Sequence, residues 1–332
     1  MALLSEWCLM AKRFDEDDIR VRPPRSTRPR TKDRPSFSNT TAAMVTTVDR
    51  GRFTCALETG ESVNAIKSRE LGRRGVVVGD HVRLIGDSNG NADSLARIVA
   101  LDERMNALRR SADDSDETER IIVANIDQLM IVTACADPEP KIGLVDRCLI
   151  AAYDAGISPV IVMTKSDLAD PADFLGQYDS LGVRKFILRK GSDLNELREL
   201  LKGKQSVFVG HSGVGKSTLV NALAPGANRS TGGVNAVTGR GRHTSSNALA
   251  VPVDVDTWII DTPGIRSFGL AHVDANRIIH AFPDCGEIIE ACPRSCTHDE
   301  EECALNAWAS ESEGRNARVE SLRRLLRSMR LA

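Results

Sequence analysis

The sequence predicts a multi-domain chain: a small N-terminal β-barrel, a central α/β domain with a parallel sheet, and a C-terminal helical segment. Three observations predict it. Five short, turn-bounded β segments fall between residues 44 and 104. Buried strands then alternate with helix-spaced apolar residues around a glycine-rich loop, Gly210 to Thr218. Finally, Cys285, Cys292, Cys296 and Cys303 crowd beside His298. The 332 residues are enough for two or three cores, and with 4% aromatics those cores must be mostly aliphatic. A net charge of −2 excludes a general polycation, so contact with nucleic acid would need local basic patches. No apolar run reaches membrane-spanning length and the N-terminus lacks an apolar signal core, so a cytoplasmic protein without a membrane partner is expected.

Residues 1–43 read as a disordered basic tail. An acidic run, Asp15 to Asp18, precedes an arginine- and proline-rich stretch from Arg20 to Lys32 with too few apolar residues to fold alone. It suits either an arm laid on RNA phosphates or a solubilising tail. Residues 44–104 carry strand segments at Met44–Val48, Arg52–Leu57, Ser62–Ile66, His81–Ile85 and Leu95–Val99, separated by turns such as Asp49-Arg50-Gly51 and Asn89-Gly90-Asn91. Five strands in that length suit an OB-fold, with Lys67, Arg69, Arg73 and Arg74 available for phosphate contact, although the same strands suit any small barrel used as a spacer. Residues 105–119 are expected to be a linker, acidic from Ser111 to Glu119.

The α/β rhythm fills residues 120–275. Ile121–Ala124, Leu129–Ala134, Ser158–Met163, Arg184–Leu188 and Gln205–Val209 are strand-like; Leu144–Tyr153 and Asp193–Leu201 are helix-like. The loop Gly210-His211-Ser212-Gly213-Val214-Gly215-Lys216-Ser217-Thr218 fits the phosphate-loop pattern G-x-x-x-x-G-K-[ST] between a strand and a helix. Backbone N–H groups at a helix N-terminus can surround a phosphate, Lys216 can reach the β- and γ-phosphates, and the Ser217 hydroxyl can coordinate Mg²⁺.

Two further strand ends carry chemistry. Thr164-Lys165-Ser166-Asp167 resembles the guanine-reading [NT]-K-x-D motif: a carboxylate accepts from N1–H and the exocyclic amine of guanine, a donor pair adenine lacks. Its usual first residue is Asn, and where a Ser-Ala-like pair commonly completes the base site the chain has Arg189-Lys190-Gly191-Ser192. Asp261-Thr262-Pro263-Gly264, after the apolar Trp258–Ile260, supplies a Mg²⁺-linked Asp261 and a Gly264 N–H for the γ-phosphate. Between them, Thr238 to Ser246 reads as a mobile switch loop, with Thr244 expected to meet Mg²⁺ and Ser245 or Ser246 as alternatives. The position after D-x-x-G is Ile265, not a water-orienting Gln, so His243 is the candidate catalytic group beside Lys216.

The base-reading motif precedes the phosphate loop, the reverse of the common GTPase order. A circularly permuted GTPase with an N-terminal barrel and a C-terminal Cys/His cluster resembles the ribosome small subunit-dependent GTPase A family. The resemblance runs over about residues 44–310 and includes Ala124-Asn125-Ile126-Asp127-Gln128, Val145-Asp146-Arg147, Gly210 to Thr218 and Gly239 to Thr244. It implies a central GTPase domain and a zinc-binding helical domain over 276–332, with one structural Zn²⁺ held by Cys292, Cys296, His298 and Cys303. The spacing here, C-x₃-C-x-H-x₄-C, is one residue shorter in each outer loop than the family's, and Cys285 is the obvious substitute ligand. The resemblance further implies GTP hydrolysis to GDP in late small-subunit assembly, with the 30S subunit and its 16S rRNA as partners, and a monomer. A GTP-dependent placeholder whose turnover is dispensable and an ATPase unrelated to ribosomes are the competing readings. Arg315–Arg330 is an amphipathic basic helix, suited to packing on the zinc segment and to RNA contact by its arginines.

Overall fold

The computed structural model describes residues 39–72, 75–86, 95–111, 119–225, 248–262, 268, 270 and 273–330. The five expected barrel strands form as β1 (Thr41–Asp49), β2 (Arg52–Leu57), β3 (Ser62–Lys67), β4 (His81–Ile85) and β5 (Ala96–Leu101). They run β1-β2-β3-β5-β4, and β4 returns to β1, so the sheet closes. Alternate residues fill the interior, among them Val45, Phe53, Cys55, Val63, Ala65, Val82, Leu84 and Ile98.

The acidic stretch expected as a linker begins as a strand. β6 (Ala107–Ser111) pairs antiparallel with β7 (Glu119–Ala124) in a separate two-stranded sheet. β7 is therefore outside the parallel sheet in which its apolar run suggested it would lie. Leu108 of β6 and Val123 of β7 face each other in the register and are both fully buried, which is the apolar contact that holds this hairpin.

The central sheet has the order β10-β9-β8-β11-β13-β12, with β8 (Gln128–Ala134), β9 (Ser158–Thr164), β10 (Arg184–Ile187), β11 (Gln205–Val209), β12 (Leu249–Asp254) and β13 (Thr257–Asp261). Neighbours from β10 to β13 are parallel; β12, which the sequence did not betray, is antiparallel to β13. Every residue of β8 is buried, as a central parallel strand requires. One face of the sheet packs on α1 (Ile142–Asp154), the other on α3 (Asn195–Leu201) and α4 (Lys216–Leu223), while α2 (Ala172–Gly176) follows β9.

A polar joint fixes the barrel to this sheet. Gly79 (φ 87°) presses so closely on β7 that a Cβ there would lie 2.1 Å from Ala124 O. Asn125 Nδ2 donates to Gly79 O at 2.9 Å, and its Oδ1 accepts from Met105 N. Fully buried Asp80 accepts from Arg104 at 2.6 and 2.8 Å and from Val77 N at 2.7 Å. Next along the chain, Asp127 Oδ2 accepts from Gln205 N at 2.7 Å, which pins the edge of β11. Asn125 and Asp127 thus serve the joint, a role their sequence context does not disclose. β1 also spans it: its first residues pair with β4, and Thr47 pairs with Leu249 of β12.

The C-terminal part is helical: α5 (Ala275–His280), α6 (Pro283–Ile289), α7 (Ala304–Ala309) and α8 (Glu313–Arg330). Val319, Leu322, Leu325 and Leu326 of α8 are buried in the same core as α1. Its arginines turn inward as well. Arg318 donates to Ser180 O at 2.7 Å and Asp284 at 3.1 Å and lies 4.3 Å from the Phe282 ring centre. Arg324 pairs with Asp146 at 3.1 Å and lies 4.9 Å from the Tyr178 ring centre. Arg327 binds Asp299, and Arg315 pairs with Glu311. The packing half of the expectation for this helix is met, and its described arginines all have partners within the chain, although Arg327 remains exposed.

Asp146 is nearly inaccessible, and desolvation pushes its carboxyl pKa up despite Arg324. Stability carried by an acid with a raised folded pKa is present at low pH and lost as pH rises through that value. Arg324→Met should cost about 3 kcal/mol at pH 7.5, because it strands a buried carboxylate. Thermal unfolding of that variant should recover part of the loss as pH is lowered and the stranded carboxylate takes up a proton; a loss that does not change with pH would mean the pair contributes only packing.

Candidate functional site

The site lies at the carboxyl ends of β8, β9, β11 and β13, where an open α/β sheet binds ligands. Gly210 ends β11 against β8; a Cβ there would meet Val132 O at 2.3 Å, so only glycine fits. The loop then turns through Gly213 (φ 83°) and Gly215 (φ 88°) into α4, which starts at Lys216. His211 is half-buried, Ser212, Ser217 and Thr218 are exposed, and Val214 is buried under the loop. Exposed backbone N–H groups and a hydroxyl at a helix start form an anion cradle.

Lys216 Nζ lies 2.9 Å from Asp261 Oδ1 and donates to Thr262 O at 3.2 Å. The lysine expected to reach the phosphates and the carboxylate expected to be linked to Mg²⁺ are thus already adjacent. Thr262 is buried and its hydroxyl donates to Phe208 O at 3.0 Å, which holds the end of β13 against β11. Oxygen donors at Ser217 and Asp261 beside this cradle are the hard-ligand set that Mg²⁺ takes.

Thr164 explains its own departure from Asn. Its hydroxyl donates to Val214 O of the phosphate loop, with Thr133 O at 3.3 Å, so a short β-branched side chain links the two loops. Lys165, at φ 55°, donates to Asp137 O in the loop after β8, whose Pro138 touches Gly213. Asp167 is exposed at the mouth. Burial first, and then the negative charge of Asp167 and Asp170, pushes the Cys135 thiol up. Ser166 N donates to Leu188 O, placing the turn Arg189–Ser192 against this motif, and Ser192 Oγ closes that turn by accepting from Arg189 N at 2.9 Å. Thr244, His243, Gly264 and Ile265 lie outside the described residues, as do Arg73 and Arg74.

Cys292, Cys296, His298 and Cys303 come together with their ligand atoms all within 4.8 Å of one another. Cys292 and Cys303 Sγ are 3.8 Å apart, and His298 Nδ1 is 3.8 and 4.0 Å from them. Tetrahedral zinc with Zn–S of about 2.3 Å needs S···S edges of about 3.8 Å, so the donor set fits the ion despite the shortened spacing. Cys285 is excluded as a ligand: it is fully buried in the apolar core, and burial pushes its thiol up to about 11. Glu300 shapes the short turn, accepting from Thr297 N and Oγ1 at 2.9 and 2.7 Å; these bonds hold its carboxyl down at about 2.

A phosphate loop, its lysine beside a strand-end aspartate and a base-reading strand that comes earlier in the chain define a circularly permuted GTPase fold. The RsgA GTPase model matches residues 101–271. A Pseudomonas aeruginosa relative, the small ribosomal subunit biogenesis GTPase RsgA, is 40% identical over 63% of this chain and 64% of its own length, just under two thirds of that protein. Its counterpart from Pseudomonas fluorescens is 36% identical over 76% of this chain and 75% of its own. Among solved structures, YjeQ from Thermotoga maritima is 25% identical with a TM-score of 0.64, covering 88% of this chain and 99% of its own. YloQ, described as a circularly permuted GTPase, shares the fold at 20% identity and a TM-score of 0.63, over 89% and 97% of the two chains. The chain belongs to the RsgA GTPase family.

Gly210→Ala should cost more than about 2 kcal/mol, since its methyl has no room against a backbone carbonyl. Gly286→Ala in α6, where nothing lies within 4 Å of the added carbon, is the matched control and should be neutral or slightly stabilising. Chemical denaturation of the pair checks this; equal midpoints would remove the close-approach argument.

Proposed function

We propose that the protein is a GTPase that binds the small ribosomal subunit late in its assembly and hydrolyses GTP to GDP and phosphate. The observation that carries this is the convergence of Thr164–Asp167, Val214–Lys216 and Asp261 at one sheet edge. The name of the relatives, small ribosomal subunit biogenesis GTPase, supports the ribosomal part. In this reading Gly210 to Thr218 hold the phosphates, Lys165 and Asp167 read guanine, and Gly264 meets the γ-phosphate. Ser217 and Thr244 hold Mg²⁺, which when bound neutralises developing phosphate charge. Lys216 and the loop N–H groups stabilise the transferring phosphoryl group. The Cys/His segment carries one structural Zn²⁺ at Cys292, Cys296, His298 and Cys303. No helix among the described residues is long and apolar enough to cross a membrane, and we place the protein in the cytoplasm as a monomer acting on 16S rRNA. For rRNA phosphates the barrel offers exposed Arg52 and Arg97, which flank Ile66 in the strand register, and Arg69.

Two measurements test the proposal. Wild type should bind GTP far more tightly than ATP, and Asp167→Asn should lose GTP and gain xanthosine nucleotide, because one acceptor oxygen becomes a donor. Unaltered GTP affinity in that variant would sink the guanine assignment.

Catalysis starts from an absence. Ile265 can neither orient water nor donate to phosphate, so unaided turnover should be slow. His243, between Arg240 and Arg242, is assigned to position the water once rRNA contact orders its loop. Added 30S subunits should therefore raise turnover strongly, and His243→Ala should abolish that rise with GTP binding and docking near wild type. Full stimulation of His243→Ala would transfer the role to Arg266 or to the ribosome. No stimulation of wild type would favour the placeholder reading.

A further inference from the structure

Two arginines of α8 reach the Cys/His segment, Arg327 through Asp299 and Arg323 through the backbone of a ligand residue. Arg323 Nε donates to His298 O at 2.6 Å, and its Nη2 donates to Asn306 Oδ1 at 2.6 Å. Asn306 Nδ2 in turn donates to Glu300 O and Glu301 O, both at 2.9 Å. Glu300 closes the turn between Cys296 and His298 through Thr297. An unbroken polar chain thus runs from α8 through α7 to the turn that presents two of the four ligands.

His298 needs such support. Its φ is +69°, a conformation that non-glycine residues adopt at a cost, and Ser295 in the preceding loop has φ +63°. The side chain of His298 is buried and its Nδ1 faces two thiols. A carbonyl fixed by a guanidinium selects that backbone conformation, and with it the direction of the imidazole. The guanidinium is also a positive charge beside a donor set that carries one net negative charge once three thiolates hold Zn²⁺. Arg323 is only 11% exposed, so its bonds are little screened.

We propose that Arg323, with Asn306 as its relay, is a positioning residue for the metal site, so that docking of α8 and retention of the metal are coupled. This rests on the zinc reading above. The expected size is that of outer-shell partners elsewhere, about 10–100-fold in metal retention.

The test uses the full chain loaded with Zn²⁺, and follows metal release to a chromogenic chelator. Arg323→Met should release zinc about tenfold or more faster than wild type, with Asn306→Ala in the same direction. Arg323→Lys, which keeps the charge and one donor, should fall between. Arg318→Met removes α8 contacts to Asp284 and Ser180 without touching the cluster; it should lower the melting temperature yet release zinc at the wild-type rate. In Co²⁺-loaded protein, Arg323→Met should change the d–d band envelope and Arg318→Met should not. Release from Arg323→Met at the wild-type rate would overturn the proposal. So would equal acceleration by Arg318→Met, which would mean that general loosening of α8 frees the metal. Wild type that binds no zinc would instead overturn the metal reading itself.

Discussion

The close approach of Gly210 to Val132 O sets the rest of the structure. β8 and β11 are far apart in sequence, and the permuted chain order makes them neighbours only when folded. At their shared end two loops must leave the sheet together, one to Cys135–Lys141 and one to the phosphate cradle. A side chain at Gly210 would push them apart by more than an ångström. The Thr164 hydroxyl could then no longer reach Val214 O, and Lys216 would lose its register with Asp261. The site is precise because its loops are tied to one another as well as to their strands.

Two clamps support that edge from outside the sheet. The barrel is held by buried polar groups at Asp80, Arg104 and Asn125, each satisfied by several bonds. Such groups would be expensive if separated, so the barrel and the sheet move as one over small displacements. The second clamp is α8. It combines an apolar stripe with arginines that reach Ser180 O, Gln177 O and Asp146. These acceptors lie on α1 and on the connection from α2 to β10, the segment that follows the base-reading motif.

Much of this was legible in the sequence, for physical reasons that also explain the failures. Continuous apolar runs ending in glycine, Lys-x-Asp or Asp-x-x-Gly identify buried parallel strands, because both faces are covered and chemistry collects at their ends. β12 is hard to read because Leu249-Ala250-Val251-Pro252 is short and carries a proline, which is tolerated because β1 pairs with β12 only at Leu249. β7 was given to the wrong sheet because an apolar run does not state its partner. The roles of Asn125 and Asp127 are invisible in the sequence because they depend on backbone groups far away along the chain, Gly79 O and Gln205 N. Cys285 was a reasonable spare ligand by spacing alone. Only burial among aliphatic neighbours separates it from the thiols that face His298.

The arginines of α8 carry a wider lesson about charge. Counted along the chain, they make the C-terminus the most basic ordered segment and hence the natural candidate for phosphate contact. Arg315, Arg318, Arg323, Arg324 and Arg327 instead meet acidic side chains, carbonyls or aromatic rings of the same chain. A guanidinium that already satisfies buried acceptors would have to abandon them to reach RNA, and it would then leave groups such as Asp146 unpaired. That cost falls least on arginines standing in water. Arg52 and Arg97 lie on either side of Ile66 in the strand register, and both are exposed. Phosphate contact there requires no internal bond to break.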